Sequence, residues 1–130
     1  MSSQAHALII EDNVYNAEVL ASLLAAEGVN STIVLDVSTL ENEISHLPHI
    51  NIIFLDLEMP EANGYEVFQY LTSELKTNTI PIVAYTVHIS EINVAKKLGF
   101  HSFLGKPLNS NHFANQLQRI LSNQPVWEVG

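Results

Sequence analysis

Short apolar runs alternate five times along the chain with segments whose apolar side chains recur every three or four positions. The runs are Ala7-Leu8-Ile9-Ile10, Thr32-Ile33-Val34-Leu35, Ile50 to Leu55, Ile80 to Tyr85 and Ser102-Phe103-Leu104. In the third, Ile52, Ile53, Phe54 and Leu55 are consecutive and leave no polar face. A strand covered on both sides reads this way, as in parallel sheets sandwiched between helices. Val19, Leu20, Leu23 and Leu24 place a stripe on the first helical segment, which Gly28 closes. Ser38 to Glu41 has the S-x-x-E form of a capping box and opens the second. Asn63 with Glu66 caps the third, whose stripe is Val67, Phe68, Leu71 and Leu75. Ser90 caps a fourth that reaches Leu98 and stops at Gly99, and Phe113, Leu117, Ile120 and Leu121 mark a fifth that ends before Pro125.

Five strand–helix units predict an α/β fold: a doubly wound, flavodoxin-like parallel sheet of five strands in the order 2-1-3-4-5, with helices on both faces. One domain over residues 1–124 is expected, followed by a short tail, 125–130, that carries Trp127. Ligands of such sheets bind beyond the carboxyl ends of the strands. Strand one ends in Glu11-Asp12, strand three in Asp56 and strand four in Thr86, and strand five reaches Lys106. Strand two, the edge away from the crevice, closes on Val37 with no comparable polar cluster, Asp36 apart. The four polar ends thus belong to the four strands able to share one pocket.

Singly, each has an ordinary reading: Glu11-Asp12 as a solvated turn, Asp56 as a loop start beside Pro60 and Gly64, Thr86 as a β-branched strand residue, Lys106 as a loop lysine. Together they specify chemistry. Carboxylates crowded into one cleft repel each other and require a hard cation, for which oxygen ligands with retained waters suit Mg²⁺. A carboxylate is also a competent nucleophile toward phosphorus. Phosphoryl transfer then needs mainly positioning and charge neutralisation, which a cation and a lysine supply, and a hydroxyl such as Thr86 can hydrogen-bond a phosphoryl oxygen.

Composition narrows the partners. Five Lys+Arg against fourteen Asp+Glu give a formal charge of −9. No basic face can be assembled from Lys76, Lys96, Lys97, Lys106 and Arg119, which argues against nucleic acid and against an anionic membrane surface. Without cysteine there are no disulfides or thiolate metal sites. The apolar run Ala7 to Ile10 is cut short by Glu11 and Asp12, which fits neither a signal peptide nor a membrane span, so a cytoplasmic location is expected. The six histidines show no metal spacing.

Over residues 6 to 122 the chain resembles the receiver domains of bacterial two-component response regulators, of the chemotaxis type. The segments that carry the resemblance are LIIEDN at the first strand end, IIFLDLEMPEANGYEVF around the third, IPIVAYT at the fourth and FLGKPL at the fifth. It implies a stand-alone receiver in which Asp56 accepts a phosphoryl group from a histidine kinase or histidine phosphotransfer protein and later slowly loses it, without enzymatic turnover. It implies Mg²⁺ bound by Asp12, Asp56 and the backbone carbonyl of Glu58, with Glu11 acting mainly through water. Lys106 would pair with the phosphoryl group across a cis Lys106-Pro107 bond. Thr86 and Phe103 would form the switch, Glu58 and His88 the rim that governs phosphate lifetime, and output would run through protein contacts of a monomer or weak dimer. The chain departs from the family pattern at Phe100-His101, where an alanine and an acidic residue are usual, and at Val87, where a small residue is usual.

Two rivals share these features. A haloacid-dehalogenase-like phosphatase also combines a nucleophilic aspartate, a hydroxyl, a lysine and Mg²⁺, and Asp56-Leu57-Glu58 mimics its D-x-D motif. The acidic pair here precedes the nucleophile, however, and no acidic motif follows Lys106. A flavodoxin-like carrier would need a hydroxyl- and glycine-rich loop after strand one, where Glu11 and Asp12 would repel a phosphate.

Overall fold

The computed structural model of the chain describes residues 4–47, 49–59, 62–73 and 79–128; Pro60, Leu75 and Lys76 lie outside them. In chain order the elements are β1 (His6–Ile10), α1 (Val14–Ala26), β2 (Asn30–Val34), α2 (Leu40–Ser45), β3 (Ile52–Asp56), α3 (Gly64–Ser73), β4 (Ile82–Thr86), α4 (Ile92–Leu98), β5 (Ser102–Gly105), α5 (Ser110–Leu121) and β6 (Trp127–Glu128). The strands pair in parallel in the order β2-β1-β3-β4-β5-β6, the expected doubly wound sheet with one strand more than the sequence predicts. Between β3 and α3, Glu58–Met59 pairs antiparallel with Ala62–Asn63.

The two-residue period of the strands divides the core. Ala7 and Ile9 of β1, with Ile52 and Phe54 of β3, pack against Ala17, Leu20 and Leu24 of α1 and Phe113, Leu117 and Ile120 of α5. Leu8, Ile10, Ile53 and Leu55 face the other way, onto Leu40, Val67, Phe68, Leu71 and Ala95 of α2, α3 and α4. Ile52, Ile53, Phe54 and Leu55 of β3 are all buried, as its unbroken apolar run requires. Each such side chain contributes roughly 1.5–3 kcal/mol of hydrophobic stabilisation.

The extra strand, Trp127–Glu128, falls within the short tail expected from residue 125 and ties it to the sheet. Phe103 N–H donates to Val126 O at 2.7 Å, and Val126 N–H donates to Ser102 Oγ at 2.9 Å. Glu128 accepts from Arg119 Nη2 at 2.8 Å and Gln116 Nε2 at 2.9 Å, both on α5. Lys96 Nζ stands 5.4 Å from the centre of the Trp127 ring. Two residues are too few for a periodic signal, so this pairing is settled by contacts with β5, α4 and α5.

Several local expectations shift for physical reasons. Val19 is exposed, because α1 turns its Ala17-Leu20-Leu24 face to the sheet and leaves Val19 and Tyr15 beside a groove of about 310 Å³ next to Val87 and Lys106. Asp36, and not Ser38, caps the second helical segment: its carboxylate accepts the Ser38 N–H at 2.9 Å and starts a 3₁₀ turn, Val37–Thr39, ahead of α2. Ser90 lies inside a similar 3₁₀ turn, Ile89–Glu91, that leads into α4. Asn63 does cap α3, its Oδ1 accepting the Tyr65 N–H at 2.8 Å. Gly99 closes α4 at φ 103°, in the left-handed region that favours glycine. Phe100 is buried and stacks on Phe68 with ring centroids 4.1 Å apart.

Candidate functional site: an acidic crevice at the strand ends

The crevice forms where β1, β3, β4 and β5 end side by side. Glu11 leaves β1 with its N–H bonded to Val34 O at 3.1 Å, then the chain turns sharply into α1. Asn13 holds that turn twice. Its N–H donates to Glu11 Oε2 at 3.1 Å, and its side chain caps α1 by accepting the Asn16 N–H at 2.9 Å. Glu11 is thereby drawn inward, 1% exposed, while Asp12 stays open to solvent. Asp56 closes β3 at 2% exposure, one oxygen accepting the Glu58 N–H at 3.0 Å.

One oxygen from each of Glu11, Asp12 and Asp56 falls within a common 4.8 Å. Lys106 reaches the cluster from the loop after β5, its N–H bonded to Thr86 O at 2.9 Å. Its Nζ lies 2.8 Å from Glu11 Oε1 and 3.4 Å from Asp56 Oδ1. The Lys106-Pro107 peptide is cis, as the resemblance implies.

One lysine does not neutralise three carboxylates. Burial, then the neighbouring Glu11, pushes the Asp56 carboxyl up to about 7, against the opposing pull of the Glu58 N–H and Lys106. Glu11 feels burial most strongly too, yet its bonds with Asp56, Lys106 and the Asn13 N–H bring it below the ordinary glutamate value. Asp12 is raised by desolvation and by Glu11 beside it. Three crowded carboxylate oxygens, one of them on a residue open to water, fit a hard divalent cation that keeps part of its hydration shell.

The other predicted site residues border this cluster. Thr86 is fully buried at the end of β4, and its Oγ1 accepts the His88 N–H at 3.1 Å. Glu58 and His88 stand at the mouth, their side chains 52% and 56% exposed and 3.8 Å apart, so the Glu58 carboxylate is turned to His88 and not into the acidic cluster. Phe103 lies wholly inside the second half of the core, between Ala84 and Trp127 in the sheet register.

Sequence reasoning misses two members. Asn13 shapes the turn as described. Tyr85, in register with Asp56, donates its hydroxyl to Glu11 Oε1 at 3.1 Å, and Lys106 Nζ stands 4.3 Å from the centre of its ring. The signal was the register itself, since a residue paired with Asp56 on the neighbouring strand shares its face.

A doubly wound sheet with a buried aspartate, an acidic pair and a lysine at its carboxyl edge defines an α/β module with a charged crevice at the strand ends. The chain belongs to the response regulator receiver domain family, which matches residues 7–118. It is 32% identical over 105 residues to stress response regulator protein 1 of Candida tropicalis, a match that takes in 78% of this chain and 40% of that protein. It is also 32% identical over 108 residues to the osmosensing histidine protein kinase SLN1 of Saccharomyces cerevisiae, covering 78% of this chain and 9% of the kinase. The chain thus spans about two fifths of the length of the Candida relative and a small part of the kinase. A sensor protein from a Polaromonas species shares the fold with a TM-score of 0.81 at 22% identity, over 93% of this chain and 98% of that one. Nothing in the fold or these likenesses favours the phosphatase-like or flavodoxin-like alternatives. No helix among the described residues is long and apolar enough to cross a membrane.

Proposed function

We propose that Asp56 is the phosphoacceptor of this receiver, taking a phosphoryl group from a histidine kinase or histidine phosphotransfer protein with Mg²⁺ held by Glu11, Asp12, Asp56 and the backbone of Glu58. The observation that carries the reading is a carboxylate only 2% exposed, grouped with two others and 3.4 Å from a lysine ammonium. An Asp56 oxygen attacks phosphorus, the P–N bond to the donor imidazole breaks, and the electron pair leaves with the imidazole. Bound Mg²⁺ supplies charge neutralisation at the phosphoryl oxygens. Lys106 exchanges its contact with Asp56 for one with the phosphoryl group, and the Thr86 hydroxyl turns to a phosphoryl oxygen.

Thr86 pairs with Gly105 and Phe103 with Ala84, so the two lie two register positions apart on adjoining strands, which supports reading the pair as a switch that partner proteins sense on the face of α4, β5 and α5. Glu58 and His88, facing each other across the mouth, are suited to admit or orient the hydrolytic water that ends the signal. The chain is modified once per cycle and does not turn over substrate, and it works in the cytoplasm without nucleic acid. The matching segment of the yeast kinase supports a histidine kinase pathway as the source of phosphate.

Acetyl phosphate with Mg²⁺ should place one labile phosphoryl group on each chain, and Asp56→Ala should abolish it. Intact-protein mass spectrometry showing undiminished labelling in Asp56→Ala would sink the assignment.

A further inference from the structure

We propose that Tyr85 is a positioning residue of this site, holding Glu11 and Lys106 in place as Lys106 changes partners; the proposal rests on the reading of Asp56 as phosphoacceptor. β1 and β4 are not neighbours, because β3 lies between them. Two strand spacings, about 9–10 Å, separate their axes. A long side chain is needed to span that gap, and Tyr85 spans it: 1% exposed, its ring edge-on to Phe54 at 6.2 Å, its hydroxyl on Glu11 Oε1 at 3.1 Å.

The donors on Glu11 are of two kinds. The Asn13 N–H on Oε2 and the Tyr85 hydroxyl on Oε1 come from fixed elements. The third, Lys106 Nζ, is 2.8 Å from Oε1 but only 3.4 Å from Asp56, so it is already shared between the two carboxylates. A phosphoryl group on Asp56 draws that ammonium away from Glu11. Glu11 is buried and would then have a poorly satisfied oxygen, but for the Tyr85 hydroxyl that stays. The same ring presents its face to Lys106 Nζ at 4.3 Å, a favourable surface along which the ammonium can shift. One side chain therefore fixes the acid that completes the cation site and guides the lysine that leaves it.

The ring and the hydroxyl can be tested separately, with Mg²⁺ affinity followed by calorimetry and Asp56 labelling by acetyl phosphate at saturating Mg²⁺. Tyr85→Phe keeps the ring and should weaken Mg²⁺ binding about tenfold, the usual scale for a lost partner of a metal-site carboxylate, and should slow labelling at saturating Mg²⁺ less than loss of the whole side chain does. Tyr85→Leu removes the ring as well and should slow labelling even at saturating Mg²⁺. In a Glu11→Gln background, Tyr85→Phe should have little further effect on Mg²⁺ affinity, a result a merely structural tyrosine would not give. Wild-type Mg²⁺ affinity in Tyr85→Phe, a full tenfold effect persisting without the Glu11 carboxylate, or a Tyr85→Phe chain that does not fold by circular dichroism would each overturn the proposal. A wild-type chain that binds Mg²⁺ but takes no label on Asp56 would overturn the underlying reading instead.

Discussion

At the scale of single residues, most of the crevice was legible because its chemistry sits at strand ends. An acidic or basic residue that closes an apolar run has few places to go in a parallel sheet, so Glu11, Asp12, Asp56 and Lys106 could be brought together from order and spacing alone. Tyr85 could not, since an aromatic in an apolar strand reads as core until its hydroxyl is seen on Glu11. His6 shows the same blind spot at the opposite end of β1. Its Nε2 lies 2.7 Å from Thr32 Oγ1 and its ring is 6.4 Å from that of His49. Burial, then the nearby His49, lowers its pKa below the ordinary histidine value. The fold therefore favours neutral His6, and the sign follows: its contribution is present above the unfolded histidine pKa and is lost as pH falls through and below that value. The pH dependence that belongs to His6 is a difference between two chains: in urea melts on acidification from pH about 7.5 to about 5.5, near the histidine range, the stability of the wild type should fall relative to that of His6→Gln, while Asp56, whose carboxyl the fold raises, contributes the opposite trend to both. The same pH dependence in both chains would remove His6 as a source.

Among the elements, the junction of β3 and α3 shows how backbone contact carries information that a motif does not. Gly64 marks a loop in the sequence, but in the fold it is the first residue of α3, pressed against the end of β3. A Cβ there would lie 2.6 Å from Leu57 Cα and 3.0 Å from Asp56 O. Alanine is the better helix former by up to about 1 kcal/mol, yet the obstacle is backbone, which cannot rotate aside as a side chain can. The clash should win. Gly64→Ala is expected to cost about 1–3 kcal/mol of stability in urea melts, and, by displacing the end of β3, to slow labelling of Asp56. Unchanged stability would mean that the junction yields easily. The helix caps tell a related story. Asp36 and Ser38 are both good capping residues two positions apart, and the sequence alone does not rank them. The backbone enters the turn at Asp36 in extended conformation, with its carboxylate already over the Ser38 N–H. Periodicity located α1 but not its rotation, because Val19 extends the apolar stripe yet faces the groove beside the crevice.

For the whole molecule, the doubly wound topology was legible because β3 reads as buried on both faces and the strands alternate with helices. The sixth strand was not, because its evidence is long-range: a serine on β5, an arginine and a glutamine on α5 and a lysine on α4 all converge on three residues, Val126 to Glu128. The family match ends at residue 118, ahead of this strand. It also gives the molecule an optical property. Trp127 is the only tryptophan in the chain, and it stands in register with Phe103 on the adjoining strand, its indole face toward the Lys96 ammonium. An indole reports changes in packing and nearby charge through its emission. Any rearrangement of Phe103 that accompanies phosphorylation should therefore alter the intrinsic fluorescence of the native protein, with no dye attached. Adding acetyl phosphate and Mg²⁺ is expected to shift or quench the Trp127 signal in the wild type and to leave it unchanged in Asp56→Ala. A silent Trp127 in a chain that mass spectrometry shows to be fully phosphorylated would mean that β5 and its added strand stay rigid while the signal passes elsewhere.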